Sequence, residues 1–364
     1  MTEDTKGSAA VLASAPLQLE EHTQKRRLSD SAPTTAAGRL KETLYYARGR
    51  GALEIGLVYG VIVVAFVIYS GVNPAGFPFL SPSNLSGVIS QSIPVLALLA
   101  LGAGILMIAG EFDLSAGASI GFCAIVFIRL ANSHGWPLAL VAALASGVGI
   151  ALINGVIVVV TRIPSFIATL GMSFFWIGAS IFLNGTTPAV FTPGTRTPTL
   201  LAIFAGDYGF FRSQIVWMIG VGFLAWWFLH RHRLGNHIYA VGGNASAASA
   251  VSIKPNSVRL MAFGVFGLLV GLTSVLIAVR TSGMQPGTTG DYTLFAIAAA
   301  VVGGCSLTGG RGSVLGMIIG AALIRTVENG LILGKAPGFY TQLFVGVTIV
   351  IAATFNKLME GKSK

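Results

Sequence analysis

Residues 87–117 read GVISQSIPVLALLALGAGILMIAGEFDLSAG, and this stretch decides the fold class. Its part from 87 to 109 carries no charged side chain. An apolar run of about 20 residues, when helical, matches the hydrocarbon thickness of a bilayer. Pro94 lies inside the run, where it should kink the helix or interrupt its backbone hydrogen bonds. The stretch therefore predicts a membrane-spanning helix that is followed at once by two carboxylates, Glu111 and Asp113.

The same pattern recurs along the whole chain. Of its 364 residues, 54% are hydrophobic and only 10% are charged, whereas soluble domains carry about 25% charged residues. A surface so poor in charge must face lipid over most of its area. We therefore predict an all-α polytopic membrane protein with about ten transmembrane helices. The apolar runs are 53–70, 87–109, 115–132, 136–160, 164–184, 214–230, 257–279, 293–308, 312–333 and 338–355.

The basic residues indicate the orientation of the chain. There are 23 Lys and Arg residues for a net charge of +10, and most flank apolar runs or lie in the first fifty positions. Cytoplasmic loops are enriched in such residues. With the N-terminus inside and ten alternating spans, most of them fall on the inner side. We expect both termini to be cytoplasmic, and a multi-pass protein of the bacterial inner membrane. The distribution argues against nucleic acid as a partner.

The sequence divides into three parts. Residues 1–50 are polar and basic, lack the apolar stretch of a cleavable signal peptide, and are expected to form a disordered cytoplasmic tail. Residues 51–357 are expected to form the transmembrane domain, and 358–364 a short cytoplasmic tail. The longest inner loop is 236–257. Its core, 244–251, begins with Asn and is rich in Ala and Ser, which predicts a short helix. This helix either docks in a groove on a partner or is an ordinary surface helix.

Two segments of the chain resemble each other weakly. An Ala-Leu-Ile triplet at 151–153 is followed by the turn at Pro164, and the same triplet at 322–324 is followed by the turn at Pro337. The predicted topology puts the first turn inside and the second outside. Similarity with opposite orientation is typical of an inverted-topology repeat. Chance similarity between two apolar helix pairs is the alternative interpretation.

The few polar groups near or within the spans are the candidate functional residues. Asp113 and Ser115 precede an apolar run, and both residue types favour the N-cap of a helix. We favour capping over direct substrate contact for Asp113. Arg325 and Glu328 are three apart within one span, so they share a helix face and are expected to pair.

Two kinds of site are not supported by the sequence. The glycine-rich stretch 303–313 lacks the spacing of a phosphate-binding loop, which predicts that the chain does not bind ATP by that route. His230, His232 and His237 follow a span at its inner end without acidic or Cys ligands, so we interpret them as topology anchors rather than metal ligands. No clustered nucleophile and base suggests an intramembrane enzyme.

Four stretches together resemble the permease subunits of bacterial ATP-binding-cassette (ABC) importers for ribose, xylose and related sugars. The resemblance spans about 85–356, and the stretches stand in the order found in that family. Glu111 and Arg325 depart from the family pattern. The four stretches are Gly110–Gly117, Ile163–Gly171, Tyr239–Asn244 with Ala247 and Ala248, and Ala296–Ser313.

The resemblance implies a permease that is not itself an enzyme and binds no cofactor, with ATP and Mg used by a separate cytoplasmic ATPase. Two copies, or two related chains, would form the path for a sugar that a periplasmic binding protein delivers. The residues expected to couple to the ATPase are Asn244, Ala245, Ala247, Ala248 and Val251. The candidates for the translocation path or the family signature are Glu111, Asp113, Ser115, Gly117, Pro164, Phe166, Thr169 and Asn329.

Three alternatives remain open at this stage. A branched-chain amino-acid importer and a nucleoside importer share the architecture and the ATPase partner. An ion-coupled secondary transporter would need carboxylates or His deep within several spans. Apart from Glu328, the charged acids near the spans lie at a membrane edge, which disfavours this third alternative.

Overall fold

The computed structural model describes residues 52–287 and 292–361 of the chain. The tail 1–50 and the last residues 362–364, both predicted to be cytoplasmic, lie outside the described residues. The α-helices are α1 Ala52–Val72, α2 Pro82–Gly87, α3 Ile93–Ile108, α4 Ala116–His134, α5 Trp136–Thr161, α6 Ser165–Asn184, α7 Pro198–Ala205, α8 Ser213–Arg231, α9 Arg233–Gly243, α10 Ala245–Ala250, α11 Pro255–Thr281, α12 Tyr292–Val302, α13 Val314–Leu333 and α14 Phe339–Gly361.

Two small antiparallel sheets accompany the helices. Strand β1 is Ala189–Val190 and pairs with β4, Gly283–Met284. Strand β2 is Asp207–Tyr208 and pairs with β3, Phe211–Arg212. The sheets lie at the end of the bundle where α4 and α11 finish, and we call it the strand end. The opposite end carries α9 and α10, and we call it the loop end.

Each of the ten apolar runs contains a helix, which confirms the all-α polytopic class. Within the described residues, eight helical stretches are long and apolar enough to cross a membrane. One predicted span needs correction, because the helix in the run 293–308 covers only Tyr292–Val302. Eleven residues rise about 16 Å, roughly half the thickness of the hydrocarbon core. The tight turn at Gly303 and Gly304 ends this helix early.

The backbone before Pro94 departs from the α-helix as the sequence predicts. The segment Val88–Ser92, between α2 and α3, is a π-helical turn, and the Ile93 N–H donates to the Val88 carbonyl. Proline has no N–H, so one bond of the ladder is missing here in any case. The π turn absorbs the break, and α2, the turn and α3 continue as one apolar stretch from Pro82 to Ile108.

Close helix approach explains why glycine is abundant in the apolar runs. A Cβ on Gly147 of α5 would lie 2.3 Å from the Gly267 carbonyl oxygen of α11, and a Cβ on Gly267 would lie 2.3 Å from the Gly147 oxygen. Neither position can carry a side chain without moving a backbone. Small residues at such contacts are typical of helix pairs in membranes.

The bundle is built around α3. Every residue from Ile93 to Ile108 is buried, and α8, α11, α12 and α13 pack against this helix. Helix α1 lies at the periphery and exposes Leu57, Val61 and Ile68. A ring of exposed apolar side chains around a buried centre is the arrangement expected in lipid.

The two weakly similar segments form matching turns. Arg162, after α5, and Lys335, after α13, both have positive φ values, 59° and 56°. Each is followed two residues later by a proline, Pro164 and Pro337, and then by a further helix. The first turn lies at the loop end and the second at the strand end, as an inverted-topology repeat predicts.

Candidate functional site: a loop junction and an intramembrane ion pair

The loop between α3 and α4 is fixed by side chains of α6. The Phe112 N–H donates to Ser165 Oγ at 3.0 Å, and the Leu114 N–H donates to Thr169 Oγ1 at 2.9 Å. The Gly117 N–H donates to Thr293 Oγ1 of α12 at 2.8 Å. Thr169 and Gly117, predicted as part of a functional signature, therefore hold this loop against two other helices.

Asp113 is buried, and its carboxylate accepts several hydrogen bonds. Its Oδ1 accepts from the Ser115 N–H at 2.7 Å and the Ser115 hydroxyl at 2.6 Å. Its Oδ2 accepts from Asn154 Nδ2 of α5 at 2.8 Å. Burial raises the pKa of the Asp113 carboxyl above its ordinary value, and the hydrogen bonds from Ser115 and Asn154 oppose that rise.

Ser115 occupies the N-cap position of α4, but its side chain makes no capping bond to the helix. Its hydroxyl donates to Asp113 instead. The prediction that Asp113 and Ser115 cap α4 is therefore wrong. The two side chains form a turn inside the loop, and Asn154 joins this turn to α5. Asn154 was not among the predicted site residues, although a polar side chain within an apolar run was a signal that could have identified it.

Glu111 forms an ion pair with α11. Its Oε1 lies 3.0 Å from Arg259 Nε, and the Glu111 side chain is only 8% exposed. Arg259 Nε is nevertheless among the buried atoms without a hydrogen-bond partner. The N–H is therefore not directed at the carboxylate oxygen, and the contact is an ion pair by proximity. It connects the loop after α3 with the second turn of α11.

Glycines of three separate stretches meet beside this ion pair. The Gly310 N–H donates to the Ile108 carbonyl at 2.9 Å. A Cβ on Gly242 would lie 1.7 Å from the same carbonyl oxygen. A Cβ on Gly309 would lie 3.0 Å from Gly110 Cα. Stretches far apart in the sequence, each part of the family resemblance, therefore form one backbone contact. We call it the glycine junction.

The short helix predicted in the longest inner loop is present as α10. The Asn244 side chain accepts from the Ala247 N–H at 3.0 Å and caps it. Ala247 is exposed, and Val251 is 70% exposed. Ala248, which was expected to face a partner, is buried against the bundle with only 3% exposure. A helix lying on the bundle must turn one face inward, and Ala248 lies on that face.

The remaining predicted path residues do not join the junction through side chains. Pro164 is exposed, and Phe166 is 51% exposed on the surface of the single chain. Asn329 of α13 exchanges amide hydrogen bonds with Asn84 of α2, at 2.8 and 3.1 Å. Asn329 therefore connects two helices in the half of the bundle nearer the strand end.

Arg325 and Glu328 pair within α13, as their spacing predicts. Arg325 Nη1 donates to Glu328 Oε2 at 2.5 Å. The Arg325 guanidinium carbon also lies 5.4 Å from the ring centroid of Phe295 on α12, within the range of a cation–π contact.

The histidines have structural contacts. His232 Nδ1 accepts from the Leu234 N–H at 3.3 Å and caps α9, and His230 stacks on Trp226. Within residues 52–287 and 292–361, no group of three His, Cys, Asp or Glu side chains is placed to hold a metal ion.

The architecture defines a polytopic α-helical protein of the membrane. A family model described as branched-chain amino acid transport system / permease component matches residues 84–353. The ribose import permease protein RbsC of Escherichia coli (strain K12) is 33% identical over 293 residues, which are 80% of this chain and 90% of that protein.

Two further relatives are autoinducer 2 import system permease proteins LsrC. The protein of Enterobacter sp. (strain 638) is 32% identical over 79% of this chain and 82% of its own. The protein of Salmonella typhi is 30% identical over 81% of this chain and 83% of its own length. No solved structure matches the chain. The chain belongs to the family described as branched-chain amino acid transport system / permease component. It is an inner-membrane permease of the ABC-importer type.

Proposed function

We propose that this chain is the membrane subunit of an ABC importer that carries a monosaccharide, such as ribose or xylose, into the cell. The observation that carries the proposal is the 33% identity to a ribose import permease over 90% of that protein's length. A periplasmic binding protein delivers the sugar. Two copies of the chain, or this chain and a related one, enclose the path.

Energy comes from a separate cytoplasmic ATPase, which binds ATP and Mg while this chain binds neither. Helix α10 is the element that couples the two proteins. Its exposed face carries small side chains, including Ala247, and ends at the exposed Val251. Such a surface suits a narrow groove on the ATPase. The glycine junction then transmits the movement of α10 to the loop after α3, because Gly242 touches the Ile108 carbonyl.

The test is transport by the whole complex. The chain, its ATPase and its binding protein are reconstituted in proteoliposomes, and uptake of labelled D-ribose, D-xylose, L-leucine and uridine is measured with and without ATP. ATP-dependent uptake of a sugar, abolished when the binding protein is omitted, is the expected result. Uptake of leucine or uridine alone would overturn the sugar assignment. ATP hydrolysis by the purified chain alone would contradict the proposal that a separate subunit is the ATPase.

Autoinducer 2 is a second candidate substrate because two relatives are autoinducer 2 import permeases. It is distinguished in the same assay by competition. If unlabelled autoinducer 2 blocks uptake far more strongly than unlabelled ribose does, the natural cargo is the signalling molecule. Uptake that continues without ATP but stops when an ionophore collapses the ion gradients would favour an ion-coupled transporter.

A further inference from the structure

One stretch of α13 is unusually polar for a helix inside a membrane. Residues 325–329 read Arg-Thr-Val-Glu-Asn, with four polar side chains in five positions. Arg325 lies eleven residues beyond the start of α13 at Val314, about 16 Å along the helix. This position is near the middle of a bilayer whose hydrocarbon core is about 30 Å thick. Charged groups at such depth are costly and usually face a water-filled path or the bundle interior.

Two of the four polar residues have a structural explanation. Thr326 lies 3.4 Å from the Tyr59 hydroxyl of α1. Asn329 exchanges hydrogen bonds with Asn84 of α2. These contacts hold α13 to two neighbouring elements, and each buried polar group has its partner.

Within the part of the chain that the structure describes, no hydrogen bond or ion pair to another element explains Arg325 and Glu328; the one contact named with a neighbouring helix is that of the Arg325 guanidinium with the Phe295 ring. The ion pair of Arg325 with Glu328 joins two residues of the same helix, so it does not hold α13 to another element. The side chains keep 15% and 22% of their surface exposed, and Arg325 Nε has no hydrogen-bond partner among the described residues. Replacing a partly buried ion pair by apolar residues of similar size is often neutral or stabilising. Stability alone therefore gives no reason for two charges at mid-depth.

The surroundings connect the pair to the strand end. Phe295 of α12 lies under the Arg325 guanidinium, and Asn329, the residue after Glu328, bonds Asn84 of α2 nearer the strand end. Polar side chains thus continue along α13 from its middle toward the strand end.

We infer that Arg325 and Glu328 contact the hydroxyl groups of the transported sugar within the path, an inference that rests on the proposed function. The guanidinium offers N–H donors beyond the one used by Glu328, and the carboxylate offers further acceptor lone pairs. Together the pair carries no net charge. Alternating donors and acceptors without net charge suit the hydroxyl groups of a neutral polyhydroxylated solute.

The experiment compares substrate discrimination in the reconstituted complex with ATPase and binding protein. The probes are D-ribose and its 2-deoxy and 5-deoxy analogues, and the measured quantity is the ratio of uptake rates. The test variant is Arg325→Met/Glu328→Leu, which replaces both charges by apolar groups. The matched control is Arg129→Met, because Arg129 is another arginine in a span but bonds the Leu183 carbonyl at 2.6 Å. The binding protein is the same in every sample.

If the pair contacts the sugar, the preference for ribose over at least one deoxy analogue falls about fivefold in the double variant. It should stay within about twofold of the parent in the control. Unchanged rate and unchanged ratios in an assembled double variant would overturn the inference. If that variant does not assemble, the single variants Arg325→Lys and Glu328→Gln replace it. The same ribose-to-analogue uptake ratios are measured, and unchanged rates and ratios in both would again overturn the inference. A parent complex that imports no sugar at all would instead overturn the proposed function.

Discussion

At the scale of single residues, Asp113 is the group whose role is most directly testable. Leucine at this position would remove the acceptor of the Ser115 N–H and of the Ser115 hydroxyl and one of the two acceptors of Asn154 Nδ2, at about 1–3 kcal/mol for each buried group left without a partner. Asparagine keeps an acceptor for Ser115. Its amide can also donate to Asn154 Oδ1, which has no partner among the described residues.

We therefore expect Asp113→Leu to lower the melting temperature of the detergent-solubilised protein and to abolish transport. Asp113→Asn should assemble and transport at a rate close to the parent. The measurements are thermal unfolding followed by size-exclusion chromatography, and uptake in proteoliposomes. Full loss of transport in both variants with assembly intact would mean that the charge acts directly on the solute.

At the scale of helices, the pair α5 and α11 depends on backbone contact at Gly147. A Cβ there would lie 2.3 Å from the Gly267 carbonyl oxygen, whereas a Cβ on Gly149 meets nothing within 4 Å. Gly147→Ala should therefore separate the two helices and destabilise the fold by about 1–3 kcal/mol or more. Gly149→Ala should be neutral or slightly stabilising, because alanine favours the helix. Equal melting temperatures for the two variants would contradict the close approach.

Helix α10 gives a second comparison between neighbouring positions. Ala247→Trp places a large ring on the exposed face, so insertion and assembly should survive while transport and substrate-stimulated ATP hydrolysis fall at least about tenfold. Ala247→Ser is the small control and should transport normally. Ala248→Trp is expected to fail earlier, in assembly, because Ala248 is buried. Transport near the parent rate in Ala247→Trp would show that α10 is an ordinary surface helix.

At the scale of the whole molecule, hydropathy predicted where the helices lie, because the need to bury backbone polar groups in lipid acts on each segment separately. Hydropathy overestimated the length of the helix in the run 293–308. The composition stays apolar beyond Val302, but the glycines that follow end α12 there. The glycine junction and the inward face of Ala248 could not be predicted. They depend on which segments meet in space, and a single sequence does not record that.

The alternation of the spans can be tested in intact cells. Ser246 and Asn256 are exposed at the loop end, and Thr186 and Tyr208 are exposed near the strand end. The native Cys123 and Cys305 are fully buried, so they should contribute little background labelling. Each of the four exposed positions is changed singly to cysteine and treated with a membrane-impermeant maleimide before and after the membrane is opened.

The positive-inside distribution predicts that the loop end faces the cytoplasm. We therefore expect Thr186→Cys and Tyr208→Cys to react in intact cells with a permeable outer membrane. Ser246→Cys and Asn256→Cys should react only after the inner membrane is opened. The reverse pattern would place α10 outside the cell, where no cytoplasmic ATPase could reach it, and would exclude the coupling role. Labelling of loop-end and strand-end positions from the same side would contradict the alternation itself, because α8 and α11 each connect the two ends as single helices.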